Sequence, residues 1–354
     1  MKLKKICIVT GSTGLIGSET VKFFIKKKFK VVGIDNDLRK FFFGKAGSTF
    51  KVKKDLIGNH INLYEHHNVD IRNKKKLTKI FSKYKKEIKI IVHCAAQPSH
   101  DWAYKNPFMD FDVNTISTFN LLELTKKFSP TARFIFMSTN KVYGDNPNKF
   151  KLIEKKTRFE LKKSHKFYKG INESLSIDSC VHSFFGASKL SADILVQEYG
   201  KNFGLKTVCF RGGCLTGPAH AGAELHGFLS YLVKTIMNQK TYNIYGYKGK
   251  QVRDNLHSSD LVNAFWEFYK KPLKGVVYNI GGSRKSNCSI LEAINLIEEY
   301  SGIKSKLKYV KKNRTGDHIW WISDNNKFIK DFPNWKVKHD VKKVIKEMVS
   351  QHDA

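Results

Sequence analysis

Residues 5–35 constrain the fold of this 354-residue chain more than any other stretch. Lys5-Ile-Cys-Ile-Val-Thr10 is a short apolar run of the kind that forms a buried parallel strand. Gly11-Ser-Thr13-Gly14-Leu15-Ile16-Gly17 follows at once, and 15–28 carries helical periodicity. A second apolar strand, 30–34, ends at Asp35 with Asn36 after it. Glycines at this spacing permit a tight turn and let backbone approach a pyrophosphate, while the helix N-terminus offers N–H groups and a positive dipole end. An acid at the end of the second strand accepts hydrogen bonds from a ribose 2′-OH and repels a 2′-phosphate, so the cofactor expected is NAD rather than NADP.

Strand and helix patterns continue to alternate. Strands are predicted over 61–67, 89–93, 133–137 and 205–211, with helices over 73–84, 108–127 and 184–203. This is the order of an α/β doubly wound parallel sheet, a Rossmann fold. Helices over 223–239, 258–269 and 289–300 follow, with short strands near Tyr242 and Val276. The expected division is a cofactor-binding domain over 1–211 and a smaller α/β substrate-binding lobe over 212–354, some of whose segments return to the first domain. The stretch 37–59 reads as an irregular insertion with a short helical flap, and 149–179 as an ordered loop over the site.

Charge and cysteine content narrow the function classes. The formal charge is +33, yet only eight of 64 basic residues are arginine and the lysines are spread along the chain. Such a field attracts anions without specifying a nucleic acid, and no zinc-finger, RNP-like or basic-helix signature accompanies it. No run of about 18 apolar residues suggests a membrane span. Six cysteines without metal-ligand spacing read as reduced thiols of a cytoplasmic protein that holds no metal.

Several further stretches are similar to the extended short-chain dehydrogenase/reductases of the NAD-dependent epimerase/dehydratase family. They are Ser138-Thr-Asn-Lys-Val-Tyr-Gly-Asp145, Asp110-Phe-Asp-Val-Asn114, Gly170-Ile-Asn-Glu-Ser174, Val252-Arg-Asp-Asn-Leu-His257, Tyr278-Asn-Ile-Gly-Gly282 and Phe185-Gly-Ala-Ser-Lys189. Within that family the chain most resembles the CDP-paratose (CDP-tyvelose) 2-epimerases. The resemblance implies an NAD-dependent nucleotide-sugar epimerase that oxidises a ring carbon, C2 by closest likeness, and reduces it again from the other face. It also implies a homodimer built on helices 108–127 and 184–203, with Leu121, Leu122, Leu190 and Leu195 as candidate interface residues, and a place in polysaccharide biosynthesis. A dehydrogenase or keto-reductase of the same family, and a binding protein that has lost catalysis, are the alternatives.

Residue roles follow from the same resemblance. Besides Gly11, Thr13, Gly14, Leu15, Ile16, Gly17, Asp35 and Asn36, the cofactor would touch Asp70, Ile71, Ala95, Ala96, Gln97, Asn114 and Lys189. Thr139 would bind the sugar hydroxyl being oxidised, and Lys189 would hold the nicotinamide ribose. Asn140, Arg211, Arg253 and Arg314 would meet substrate, an arginine fork suiting phosphate. The similar 4,6-dehydratases carry Asp-Glu where this chain has Asn140-Lys141, so the acid and base of water elimination are absent. Phe185 stands where the family has its catalytic tyrosine. The ring is kept and the phenol lost, which leaves His100 or His182 as possible substitute acid/base.

Overall fold

The computed structural model describes residues 5–217, 227–313 and 316–352. They fall into two compact units: 1–139 with 184–211 and 262–278, and 140–183 with 212–261 and 279–354. Segment 140–183 thus clusters with the second unit, and 262–278 returns to the first.

The first unit is built on a seven-stranded sheet. Its strands are β1 (Ile6–Thr10), β2 (Lys30–Ile34), β3 (Tyr64–His67), β4 (Ile88–His93), β5 (Arg133–Thr139), β6 (Lys206–Gly212) and β7 (Val276–Ile280), in the order β7-β6-β5-β4-β1-β2-β3. The pairs β1/β2, β2/β3, β1/β4 and β4/β5 are parallel. Strand order reverses between β1 and β4, the switch point at which sheets of this kind bind ligands beyond the carboxyl ends of their strands. The helices are α1 (Leu15–Lys26), α2 (Leu38–Phe43), α3 (Phe50–Asn59), α4 (Lys74–Tyr84), α5 (His100–Lys105), α6 (Pro107–Phe111), α7 (Ser117–Phe128) and α8 (Phe184–Phe203). Ile6, Ile8, Ile91, Phe134, Leu121 and Val196 belong to one continuous apolar core. Burial on both faces explains why β1 and β4 read as apolar runs rather than alternating ones.

Three sequence expectations are corrected here. The helix expected over 108–127 is interrupted by a π-turn at Asp112–Ile116, centred on Asn114. The insertion at 37–59 contains two helices, α2 and α3, because Phe42 and Leu56 find buried positions. Asp37 ties them together by accepting the Thr49 N–H at 2.8 Å and the Ser48 hydroxyl at 2.5 Å. Leu121 and Leu122 lie fully inside the core, so they cannot face a second copy. The large apolar side chains exposed on α6, the π-turn, α7 and α8 are instead Phe108, Phe111, Ile116, Phe119, Phe184, Ile194 and Phe203.

In the second unit, Val252–His257 pairs with Asn287–Ser289, Trp320–Trp321 and Cys214–Thr216. Thr241–Tyr245 and Lys306–Val310 form a separate parallel pair. Helices Phe228–Met237, Ile290–Ser301 and Val341–Ser350 pack through Leu232, Ile236, Ile294, Ile297, Val344 and Ile345. The first of these is the helix expected over 223–239; residues 223–226 lie outside the described residues. The loop expected at 149–179 includes a short antiparallel pair, Leu152–Glu154 with Phe159–Leu161. Trp320 and Trp321 are wholly buried, their ring N–H groups bonded to Glu160 and Ser323, so they are core residues of this unit.

Candidate active site

The glycine turn lies at the carboxyl end of β1, at the switch point. Gly11 has φ +66°, and a Cβ there would lie 2.8 Å from the Ala95 nitrogen, beyond β4. A Cβ on Gly17 would lie 1.9 Å from the Gly11 carbonyl oxygen. Gly14, the N-cap of α1, makes no side-chain cap, and a Cβ on it would come no nearer than 3.4 Å to the rest of the turn. Side chains are therefore excluded where the turn is closed, and the N–H groups of the first turn of α1 are left for a ligand. Asp35 lines a cleft of about 260 Å³ with Thr13, Asn36, Lys40, Phe50 and Lys53. Its carboxylate accepts the Thr13 N–H at 3.0 Å and the Asp37 N–H at 2.8 Å, which orients it. A dinucleotide's pyrophosphate and adenosine ribose fit this arrangement, and Lys40, Phe50 and Lys53 from the insertion join it although no sequence motif marks them. Asn36 donates to Asp70 at 3.2 Å. Burial alone would raise the Asp70 carboxyl, but its bonds from Arg72 and Asn36 hold it below the usual range. Ile71 beside it is buried.

A buried polar network fixes the segment after β4. The Asn114 amide donates to the Gln97 carbonyl at 3.1 Å, to Asp110 at 3.0 Å and to the Ser188 hydroxyl at 3.0 Å, and its oxygen accepts the Gln97 N–H. Gln97 also donates to Asp110 at 2.7 Å. The π-turn supplies the extra residue that brings Asn114 to this junction, as such turns often do at functional sites. Ala95, at the head of the segment, donates its N–H to Thr10; Ala96 follows and is half-buried.

On α8, Phe185 and Lys189 stand one turn apart and share a face. The Lys189 ammonium is buried, donates to the Met137 carbonyl at 2.7 Å and lies 4.1 Å from the Phe136 ring centre. Burial lowers its pKa to about 8. Thr139 ends β5, half-buried. Arg211 forms a buried ion pair with Asp193, which also accepts the Ser138 hydroxyl at 2.5 Å. Asp193 carries no motif of its own, although its position one turn beyond Lys189 is a usable signal.

The two histidines differ. His100 opens α5, and its ring meets the Phe185 ring edge-on with centres 5.0 Å apart. His182 belongs to the second unit, where its Nε2 bonds the Val142 carbonyl at 2.8 Å and the ring neighbours Cys180. Also in that unit, Asn140 is buried and Lys141 donates to the Gly316 carbonyl at 2.9 Å. Arg253 is buried and paired with Asp317. Arg314 lies outside the described residues. Among the described residues no helix is long and apolar enough to cross a membrane, and no cluster of His, Cys, Asp and Glu could hold a metal ion.

Residues 7–281 match the NAD dependent epimerase/dehydratase family. The CDP-paratose 2-epimerase of Salmonella typhi is 30% identical over 349 residues, 96% of this chain and 97% of that protein. A dTDP-glucose 4,6-dehydratase of Salmonella typhimurium is 26% identical, covering 93% of this chain and 87% of its own length. The solved UDP-glucuronic acid 4-epimerase from Bacillus cereus, in complex with UDP-glucuronic acid and NAD, has the same fold. Its TM-score is 0.79 at 24% identity, with 98% of this chain and 99% of that one covered. With its parallel Rossmann sheet and a match running from β1 to the residue after β7, the chain belongs to the NAD dependent epimerase/dehydratase family, in its extended short-chain dehydrogenase/reductase form.

Proposed function

We propose that this protein is a nucleotide-sugar epimerase, acting at C2 of a CDP-sugar, with NAD as a cofactor that is not consumed. The observation that carries the choice of epimerase over dehydratase is the turn after Thr139. Its residues, Asn140–Tyr143, include no carboxylate, Asn140 is buried, and Lys141 is bonded to Gly316. The carboxylic acid and carboxylate that water elimination uses at this place in the similar dehydratases are absent. The CDP-sugar and C2 assignments rest on the relative from Salmonella typhi.

When bound, NAD supplies a hydride acceptor and then a donor. Gly11, Gly14, Gly17 and the start of α1 would hold its pyrophosphate, with Asp35 on the adenosine ribose. Thr139 orients the sugar hydroxyl, and the Lys189 cation favours negative charge developing on that oxygen. Arg253 is the proposed contact to the substrate's diphosphate. Incubating the purified protein with a panel of nucleotide sugars tests the reading. The expected product is an epimer of equal mass, seen by NMR, with no net NADH. Accumulating NADH, or a product lighter by one water, contradicts it. Phe185 favours a second reading, a binding protein without turnover; retained affinity for NAD and a nucleotide sugar, with no product from any of them, would support it.

A homodimer is proposed on the face that carries Phe119 and Phe203. Phe119, Tyr199 and Phe203 adjoin one another across α7 and α8, with ring centres 6.1 and 5.1 Å apart. Exposed aromatics gathered in this way mark association surfaces. Light scattering should give twice the chain mass at micromolar concentration, and Phe119→Lys with Phe203→Lys should give the monomer. A monomeric wild type rejects the dimer.

A further inference from the structure

Oxidising a secondary alcohol breaks an O–H bond as well as a C–H bond, and the proton needs a receiver. We infer that His100 is that receiver, the acid/base that carries the proton lost with the phenol at position 185; the inference rests on the epimerase reading above. The other titratable groups around α8 suit the task less well. His93 is buried, its two ring nitrogens lie 2.7 Å from the Thr10 hydroxyl and 2.9 Å from that of Thr118, and burial pushes its pKa down to about 3. Asp110 is buried in the Asn114 network. Cys94 is pushed by burial up to about 12, and Cys209 well above the ordinary thiol range. Lys189 is directed at the Met137 carbonyl. His182 is bonded to the Val142 carbonyl.

His100 has position and chemistry in its favour. It is half-buried, it is an imidazole, a group able to take up and return a proton, and it stands against the Phe185 ring. Hydrogen bonds fix the start of its helix. Ser99 caps α5 by accepting the Trp102 N–H, and Gln97 donates to the Ser99 carbonyl while its own oxygen accepts the Ser99 N–H. Through Asn114 the same network reaches Ser188 on α8, so the helix carrying His100 and the helix carrying Phe185 share one junction. Trp102 anchors the other side of α5 by donating to the Phe42 carbonyl at 3.1 Å. Phe185 fills space beside the imidazole without competing for its proton.

The step balances. The sugar O–H proton passes to an imidazole nitrogen of neutral His100 as the carbon's hydride goes to NAD+, leaving a ketone and an imidazolium. Re-reduction takes the hydride to the other face of that carbon and the proton back to oxygen. Charged groups on elements packed against α5 are Asp110 on α6, Lys189, Asp193, Glu198 and Lys201 on α8, and Arg39 and Lys40 on α2; Asp101 and Lys105 lie on α5 itself.

The test compares wild-type holoenzyme with His100→Gln, and with His100→Gln combined with Phe185→Tyr. His100→Gln should lower kcat by about 100-fold or more, with KM and NAD affinity little changed, and should remove the acid limb of the kcat pH profile. The double variant should regain at least about tenfold, because a phenol beside Lys189 can carry the proton again. Calorimetry in buffers of different ionisation heat gives a readout apart from turnover. Below neutral pH, nucleotide-sugar binding to wild type should release a proton that binding to His100→Gln does not. A variant with full kcat and an unchanged pH profile overturns the role of His100 while leaving the epimerase reading in place. A wild type that converts no nucleotide sugar overturns both.

Discussion

Gly17→Ala is expected to cost the protein its cofactor. The added methyl would sit 1.9 Å from the Gly11 carbonyl oxygen, 2.7 Å from the Gly11 carbonyl carbon and 2.8 Å from the Ser12 Cα. All three are backbone atoms, so no flexible side chain can yield, and the turn must part from α1. Forcing even small groups into close packing costs roughly 1–3 kcal/mol. Taken from the geometry proposed to receive the pyrophosphate, the upper figure corresponds to about 100-fold in affinity. Calorimetric titration with NAD should show that loss, together with a lower melting temperature. Gly14→Ala is the control, because its added methyl would come no nearer than 3.4 Å to the turn, an ordinary contact; it should fold normally. A Gly17→Ala protein that binds NAD like wild type would mean that the turn is looser than these distances require.

The largest loss of stability is expected from Asp193→Ala. Asp193 is fully buried and accepts from Arg211 at 2.9 and 3.1 Å, from the Ser138 hydroxyl at 2.5 Å and from the Gln197 amide at 2.7 Å. Truncation leaves the Arg211 guanidinium, itself buried, without its counter-charge. Breaking a buried pair from one side costs roughly 3–5 kcal/mol, whereas replacing both partners with apolar groups is often neutral. Urea unfolding should therefore show a steep fall for Asp193→Ala and a much smaller one for Asp193→Leu with Arg211→Met. Equal losses in the two variants would show that packing volume, not the uncompensated charge, is what Asp193 supplies. The same ion pair bears on Arg211 as a substrate contact. Such a contact would have to be compatible with the two nitrogen atoms that hold Asp193.

Elements with strong local signals are legible in the chain. A run such as Ile90-Ile-Val92 belongs in a core, and a glycine turn between strand and helix has few alternatives, so the sheet and the family follow from the residues themselves. Helix α8 reads with its observed bounds, Phe184–Phe203. The π-turn at Asp112–Ile116 is not legible, since one extra residue in a helical turn leaves the apolar pattern almost unchanged and is selected by the bonds Asn114 makes to Gln97, Asp110 and Ser188. The helices of 37–59 are hidden for a related reason. Phe41-Phe-Phe43 carries no period, and only packing decides that Phe42 turns inward while Phe41 stays exposed.

The chain alone specifies a Rossmann sheet with a dinucleotide turn, and a ring without a hydroxyl at residue 185. It leaves His100 and His182 equal, because distance along the chain says little about distance in space. Tertiary structure separates them. The junction through Gln97, Asn114 and Ser188 sets His100 against Phe185, while His182 is held by a carbonyl within the second unit. Side-chain chemistry is written residue by residue, but which titratable group meets a given ring depends on how helices far apart in sequence are bonded together.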